Sequence, residues 1–285
     1  MKWRLLIEEK GSPAENMAVD EAVLVCFDPA TQMPTLRLYG WSPAAVSIGY
    51  FQPAHSVVAP DYPIFRRITG GGAICHDGDV TYSIVVGKRH SITKPSLYNA
   101  IHEAMSNALH QLDVAAKPRW VAKREDSPID LNGAAPRARS GRVALNAVVG
   151  GEGSDLPAVG TAMAALWQSK HSSAPFFCSG REAEADLLVG GKKILGSAQR
   201  RMKKAVLQHG SMPVRDSACD GRMTCVCREA KRKVKFGEVV AAVTASFESV
   251  FGVSFEAGEL SQEEQDIADG LVKEKYGKTK WNYRR

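Results

Sequence analysis

The sequence predicts an α+β domain: a mixed sheet packed with helices, followed by a small helical C-terminal part. Three observations predict it. Strand-like and helix-like stretches interleave along the chain. Two helix starts share one signature, Ser12-Pro13-Ala14-Glu15 and Ser261-Gln262-Glu263-Glu264, a serine cap answered by a glutamate. Short apolar runs are divided by glycine turns, most densely at Gly70-Gly71-Gly72.

The elements follow in order. Trp3 to Glu8 is a strand. The first capping box, with proline at the first helical position, opens a helix to about Cys26, with Met17, Ala18, Ala22 and Val25 on its buried side. Leu36 to Tyr39 and Ala45 to Ile48 are short strands flanking a turn at Trp41-Ser42-Pro43. Phe65 to Ile68 and Val80 to Val86 give strands around the glycine loop. Leu97, Ile101, Met105, Ala108, Leu109 and Leu112 recur at helical spacing, which predicts a helix over 96–112. From Lys123 to Ala174 the chain is rich in Ala, Gly, Ser and Pro, as in an inserted surface loop, with a short helix at Ala158 to Gln168. Ala185 to Val189 and Lys192 to Leu195 form a hairpin about Gly190-Gly191, and Ala205 to His209 pairs nearby. Val239, Val243, Phe247 and Val250 form a helical stripe stopped by Gly252. The second capping box opens a helix through Ile267, Ala268, Leu271 and Val272. The domain organisation expected is a catalytic domain over 1–215, with the insertion at about 123–174, and a helical extension over 216–285.

Composition bounds the function. With 44% hydrophobic and 24% charged residues, the chain is ordinary for a soluble globular protein. No apolar run approaches the ~18 residues that span a bilayer. The first residues lack the apolar core of a signal peptide, so the expectation is a cytoplasmic protein. Its six cysteines are then expected to be thiols. Cys219, Cys225 and Cys227 do not have structural-zinc spacing, and no metal site is expected. The net charge of +6 favours acidic partners. Lys231-Arg232-Lys233-Val234-Lys235 reads as a solvated face, and no nucleic-acid signature accompanies it.

Two segments carry the chemistry. In Arg66-Arg67-Ile68-Thr69-Gly70-Gly71-Gly72-Ala73-Ile74-Cys75-His76, consecutive glycines cost folding entropy that an ordinary turn does not require. They fit a backbone that must approach a ligand closely, with an arginine beside it suited to phosphate or carboxylate. A plain glycine-rich hairpin is the alternative. In Gly191-Lys192-Lys193-Ile194-Leu195-Gly196-Ser197-Ala198, strand alternation sends Lys192 and Lys193 to opposite faces, so one can point into a site. The small residues after it leave room for a chain-like ligand. Two surface lysines would fit the spacing equally.

Together with Ser12 to Glu21, Leu36 to Trp41, Gly49-Tyr50-Phe51-Gln52 and the end from Lys275 to Arg285, these segments resemble the lipoate–protein ligases and octanoyltransferases. The motifs stand in that family's order and span most of the chain. The resemblance implies the biotin/lipoyl protein ligase-like fold and transfer of an octanoyl or lipoyl chain to a lysine of a lipoyl-domain protein. It places Lys193, the lysine of K-x-x-G-S-A, at the acyl carbonyl end of the ligand, followed by Gly196, Ser197 and Ala198. It matches Arg67, Gly70, Gly71, Gly72, Ala73 and Ile74 to the cradle for the activated acyl group. His76, Tyr82 and His209 also match family positions. Both histidines would serve equally as satisfied structural residues.

Two branches of the family differ in activation. Ligases form an acyl-adenylate and would need ATP and magnesium. One group of octanoyltransferases takes the acyl group from octanoyl-acyl carrier protein onto a cysteine fifteen residues before the family lysine, with no cofactor. That interval here leads from Lys193 to Cys178. A thiol relay is chemically reasonable, since the thiolate is the nucleophile and a nearby ammonium favours it. The acceptor implied is the glycine-cleavage H protein or a 2-oxoacid dehydrogenase subunit. The chain departs from the transferase pattern around Cys178. Ser179-Gly180-Arg181-Glu182 replaces the usual aromatic and Pro-Ser-x-Tyr-Glu run, and Phe176 and Phe177 precede the cysteine. An incidental buried thiol, and a non-catalytic acyl- or lipoyl-domain-binding protein, are the remaining alternatives.

Overall fold

The computed structural model describes residues 1–57, 61–88, 94–119, 186–216 and 223–284. The expected insertion, its helix, Cys178 and Cys219 lie outside them. The chain divides into two units, Met1–Glu125 with Pro175–Arg285, and Asp126–Ala174. All that follows concerns the first.

Eleven strands are described: β1 (Lys2–Gly11), β2 (Thr35–Trp41), β3 (Ala45–Ile48), β4 (Ile64–Arg66), β5 (Ile74–His76), β6 (Asp79–Gly87), β7 (Lys117–Pro118), β8 (Leu187–Val189), β9 (Lys192–Arg201), β10 (Ala205–Pro213) and β11 (Ser254–Ala257). The α-helices are α1 (Pro13–Cys26), α2 (Lys94–Gln111), α3 (Val226–Glu229), α4 (Phe236–Phe251), α5 (Gln262–Leu271) and α6 (Thr279–Asn282), with a π-helical turn at Val272–Tyr276. The large sheet runs β11-β1-β2-β6-β10-β9-β8-β7, and a small one runs β4-β3-β5. In the large sheet β1 is parallel to β11 and β2, and the remaining neighbours are antiparallel. The expected mixed sheet is present.

Helices cover both faces of the large sheet, and the strand alternation shows why. On β6, Val80, Tyr82, Ile84 and Val86 face a core shared with Leu97, Ile101, Met105 and Leu109 of α2 and Phe247 of α4. Val85 faces the opposite core, with Met17, Ala18 and Val23 of α1 and Tyr276. Each large apolar side chain buried in this way contributes about 1.5–3 kcal/mol. The small sheet has its own cluster of Val46, Ile48, Ala54, Ile64 and Ala73.

Both capping boxes form. Ser12 Oγ accepts from Glu15 N while Glu15 accepts from Ser12 N, and Ser261 and Glu264 do the same for α5. Gly252 ends α4 in the left-handed region at φ 62°. Gly190 and Gly191 turn the β8–β9 hairpin with φ of 54° and 79°. Several expectations need correction. Val25 is 49% exposed, because the side of α1 that carries it has no layer above it among the described residues. The strand expected at Phe65 to Ile68 is Ile64–Arg66, after which the chain turns into the glycine loop. The strand expected at Lys192 to Leu195 runs on to Arg201, since β10 pairs with Gly196 to Arg201 beyond the stretch that β8 pairs. Cys75 is disulfide-bonded, while Cys26, Cys225 and Cys227 are free thiols as expected.

Candidate active site

A narrow cleft open to solvent lies where the small sheet meets the large one. One wall is the glycine loop and the small sheet, through Ser47, Arg67, Gly71, Ile74 and His76. The other is β9 and β10, through Gly196, Ser197, Ala198 and His209, with Met17, Tyr39 and Trp41 also lining it. The structure therefore brings together eight of the expected site residues: Arg67, Gly71, Ile74, His76, Gly196, Ser197, Ala198 and His209.

The loop is held in place by Arg67. Its Nη2 donates to the carbonyls of Gly70 (2.9 Å) and Gly72 (2.7 Å), and Nη1 donates to Ser47 O (3.0 Å) and Oγ (3.1 Å). The guanidinium expected to meet a ligand anion thus shapes the loop from within. Gly71 has φ 98°, a conformation glycine adopts without strain. Gly49 is equally constrained, because a Cβ there would fall 2.1 Å from Gly71 O. Gly70, Gly72 and Ala73 do not line the cleft. The first two accept from Arg67, and Ala73 is buried in the small-sheet core.

Lys193 and Lys192 divide as alternation requires, Lys192 exposed and Lys193 buried. Lys193 Nζ pairs with Asp186 Oδ2 at 2.9 Å. The same nitrogen would be 2.6 Å from a Cβ at Gly196, so the ammonium lies directly behind this residue of the cleft wall. Asp186 was not singled out by the sequence. Tyr82 lies one layer deeper. Its hydroxyl shares a 2.6 Å hydrogen bond with Ser197 Oγ and accepts from Gln208 Nε2 at 3.0 Å. Burial raises its phenol above the ordinary range, so it is a neutral hydrogen-bonding group. His102 Nε2 reaches the same Ser197 Oγ at 2.7 Å, and Tyr98 Oη donates to Ser197 O.

The two histidines are each fixed by a carboxylate. His209 Nδ1 lies 3.0 Å from Asp20 Oδ2 and Nε2 lies 2.6 Å from Thr69 Oγ1. Asp20 also accepts from Arg37, Tyr39 and Ser83. Burial works against its charge, but the bond from His209 and the charge of Arg37 outweigh burial and hold the carboxyl below its ordinary value. His76 bonds Asp79 Oδ2 and Ser47 Oγ, each at 2.8 Å, and stacks on Trp41 with ring centres 3.7 Å apart. Sequence reasoning missed Asp20, Asp79, Ser47 and Thr69. The available signal was polar side chains at inward positions of apolar strands and at the buried face of α1.

Among the described residues no group of acidic, histidine or cysteine side chains is placed to hold a metal ion. Two of the described free thiols, Cys26 and Cys225, are poor nucleophiles. Burial, with Glu263 and Glu264 nearby, pushes Cys26 up to about 11, and burial raises Cys225. Cys178 lies outside the described residues. The basic run at 231–235 is solvated as expected, with Lys231, Arg232, Lys233 and Lys235 exposed.

Residues 12–135 match the family model of the lipoyl protein ligase A/B catalytic domain. The chain is 33% identical to octanoyltransferase LipM of Kyrpidia tusciae, covering 99% of both chains, and 28% identical to that of Bacillus subtilis, covering 99% of this chain and 98% of the other. A crystal structure of lipoate-protein ligase A bound with ATP superposes with a TM-score of 0.71 at 25% identity, covering 99% of each chain. A chain from the structural analysis of the bi-partite lipoate protein ligase and its E2 lipoyl domain from Thermoplasma acidophilum gives 0.68 at 25% identity, covering 99% of this chain and 96% of that one. The chain therefore belongs to the lipoate–protein ligase A/B family, its full-length relatives being octanoyltransferases of lipoate biosynthesis.

Proposed function

We propose that the protein is a cytoplasmic octanoyltransferase that takes an octanoyl group from acyl carrier protein onto Cys178 and passes it to a lysine of a lipoyl-domain protein. The match along 99% of both chains to a named octanoyltransferase carries this reading. The cleft supports it. Its lining is largely apolar, and the Lys193 ammonium is held behind Gly196 by Asp186. An ammonium there suits stabilisation of the oxyanion that develops during acyl transfer. No helix among the described residues is long and apolar enough to cross a membrane. The reaction needs no cofactor, since a thioester donor is already activated. Its partners are the acyl carrier protein and the acceptor domain, either a glycine-cleavage H protein or a 2-oxoacid dehydrogenase subunit.

The likeness to a ligase bound with ATP favours a second reading, in which ATP and magnesium support formation of a lipoyl-adenylate in the same cleft. Intact mass after incubation with octanoyl-acyl carrier protein separates the two. A hydroxylamine-labile octanoyl adduct that disappears in Cys178→Ser supports the transferase. Pyrophosphate exchange dependent on ATP and lipoate, unchanged in that variant, supports the ligase. Retained acceptor binding with neither signal, and full function in Lys193→Ala, would leave a binding protein.

A further inference from the structure

Ser47, His76 and Asp79 form a hydrogen-bonded chain leading inward from the cleft, and its proton positions follow by elimination. A carboxylate only accepts, so His76 Nδ1 carries the hydrogen directed at Asp79 Oδ2, 2.8 Å away. In the neutral ring Nε2 is then a lone pair, and the Ser47 hydroxyl 2.8 Å away must donate to it. Arg67 Nη1 donates to the same Oγ at 3.1 Å. One lone pair on Ser47 Oγ is left for a donor arriving in the cleft.

The chain is locked from several strands. Trp41 of β2 stacks on the His76 ring at an interplanar angle of 14°, and its Nε1 donates to Thr81 Oγ1. Thr81 of β6 and Ser211 of β10 donate to Asp79 Oδ2 at 3.0 and 2.6 Å. All three bonds fall on one carboxylate oxygen. The other, Asp79 Oδ1, is buried with no hydrogen-bond partner among the described residues. A buried polar atom left unsatisfied costs about 1–3 kcal/mol.

We propose that Ser47 and His76 are a proton relay for the aminolysis half of the reaction, with Asp79 as the positioning residue. The inference rests on the acyl-transfer reading. The acceptor lysine arrives as an ammonium. It gives one proton to Ser47 Oγ as the Ser47 hydroxyl passes its own to His76 Nε2. The freed amine attacks the acyl carbonyl carbon, a C–N bond forms, and the bond to the sulfur breaks with its electron pair leaving on sulfur. The second proton shed by nitrogen goes to the departing thiolate, and His76 releases the first to solvent. The charged groups around the ring are Asp79, the Arg67 guanidinium beyond Ser47, and the adjacent Asp77, which faces Arg215 at 3.9 Å.

The test separates the half-reactions in the full-length protein. General base catalysis contributes ~10²–10⁴-fold, so Ser47→Ala and His76→Gln should slow transfer from preformed acyl-enzyme to a lipoyl domain at least ~100-fold, a far larger loss than in acylation by the donor. Hydroxylamine is uncharged at neutral pH and needs no base, so it should discharge wild-type and variant acyl-enzyme at equal rates. Raising the pH toward the ordinary lysine value of ~10.4 should restore transfer in the variants. Asp79→Asn should show the same pattern in weaker form. Equal losses with hydroxylamine and lipoyl domain, equal losses in both half-reactions, or no loss, would overturn the relay. If wild type forms no thioester adduct, the transferase reading fails on its own. The same comparison then applies to aminolysis of the acyl-adenylate formed from lipoate and ATP, and absence of transfer by either route overturns the relay as well.

Discussion

Gly196 is where strand geometry and chemistry compete for one volume. A Cβ at that position would fall 2.4 Å from Lys193 Cε and 3.4 Å from Asp186 Oδ1. The obstacle is the far end of a flexible side chain, so Gly196→Ala should leave the fold intact and expel the ammonium. A displacement of about 1 Å at a reacting centre costs ~100-fold, and the variant should lose transfer on that scale with little change in Tm. Asp20 shows the converse case, a buried charge that acts on the fold. Its partners hold its carboxyl below the ordinary 3.8. A lowered folded value means that its contribution is complete above the unfolded value and is lost as pH falls through the folded one. Asp20→Asn should therefore cost stability at neutral pH, toward the low end of about 3–5 kcal/mol because Glu8 still faces Arg37. It should also flatten the acid limb of the stability curve, which denaturant titrations from neutral pH downward would show. At this scale the sequence disclosed the residues whose types are unusual, the glycines, Lys193 and both histidines. Their partners Asp20, Asp79, Asp186 and Ser47 are residues of common type, marked only by being polar at inward positions, and the pairing itself is set by the tertiary fold.

The elements that position these residues differ in how they are anchored. Ser12 and Ser261 cap α1 and α5 by the same local bonds, and Ser12→Ala should cost about 1 kcal/mol. Glu264 does more than complete its box. Both its carboxylate oxygens accept from Arg4 of β1 at 2.6 Å, so it joins α5 to the edge region of the large sheet. It is buried, and those bonds outweigh the cost of burial in holding its carboxyl low. Removing one partner of a pair with such burial costs about 3 kcal/mol or more, so Glu264→Ala should exceed Ser261→Ala by at least about 2 kcal/mol in urea unfolding. Helices such as these were legible because capping boxes and periodic apolar faces are local signals. The strands β5, β7 and β11 were not, with three, two and four residues respectively. Stretches so short show no alternation, and they become strands only because β3, β8 and β1 offer them a partner.

For the whole molecule, the least legible feature is that the last described helix braces the glycine loop. The order of the large sheet and the separation of β3 from β2 into different sheets depend on long-range pairing. Arg66, fully buried, makes the decisive connection. Its guanidinium donates to the carbonyls of Gly49 (2.9 Å), Tyr50 (3.2 Å) and Gln52 (2.6 Å) on one side, and to those of Trp281 (3.3 Å) and Asn282 (3.1 Å) on the other. Gly49 in turn abuts Gly71 O across the loop. The C-terminal α6 is thereby coupled to the cleft through one side chain whose fork geometry lysine does not share. Arg66→Lys would leave several buried carbonyls without donors, each costing about 1–3 kcal/mol, so a destabilisation of at least about 3 kcal/mol is expected. The functional signature should differ from that of the relay. Because the loop itself loosens, acylation and transfer should slow together, and hydroxylamine discharge of any acyl-enzyme formed should not be spared. Hydrogen exchange should rise in Gly49–Gln52, in the glycine loop and in α6 at once. If exchange rose in α6 alone while the loop stayed protected, the two would be independent, and Arg66 would be no more than an anchor for the chain terminus.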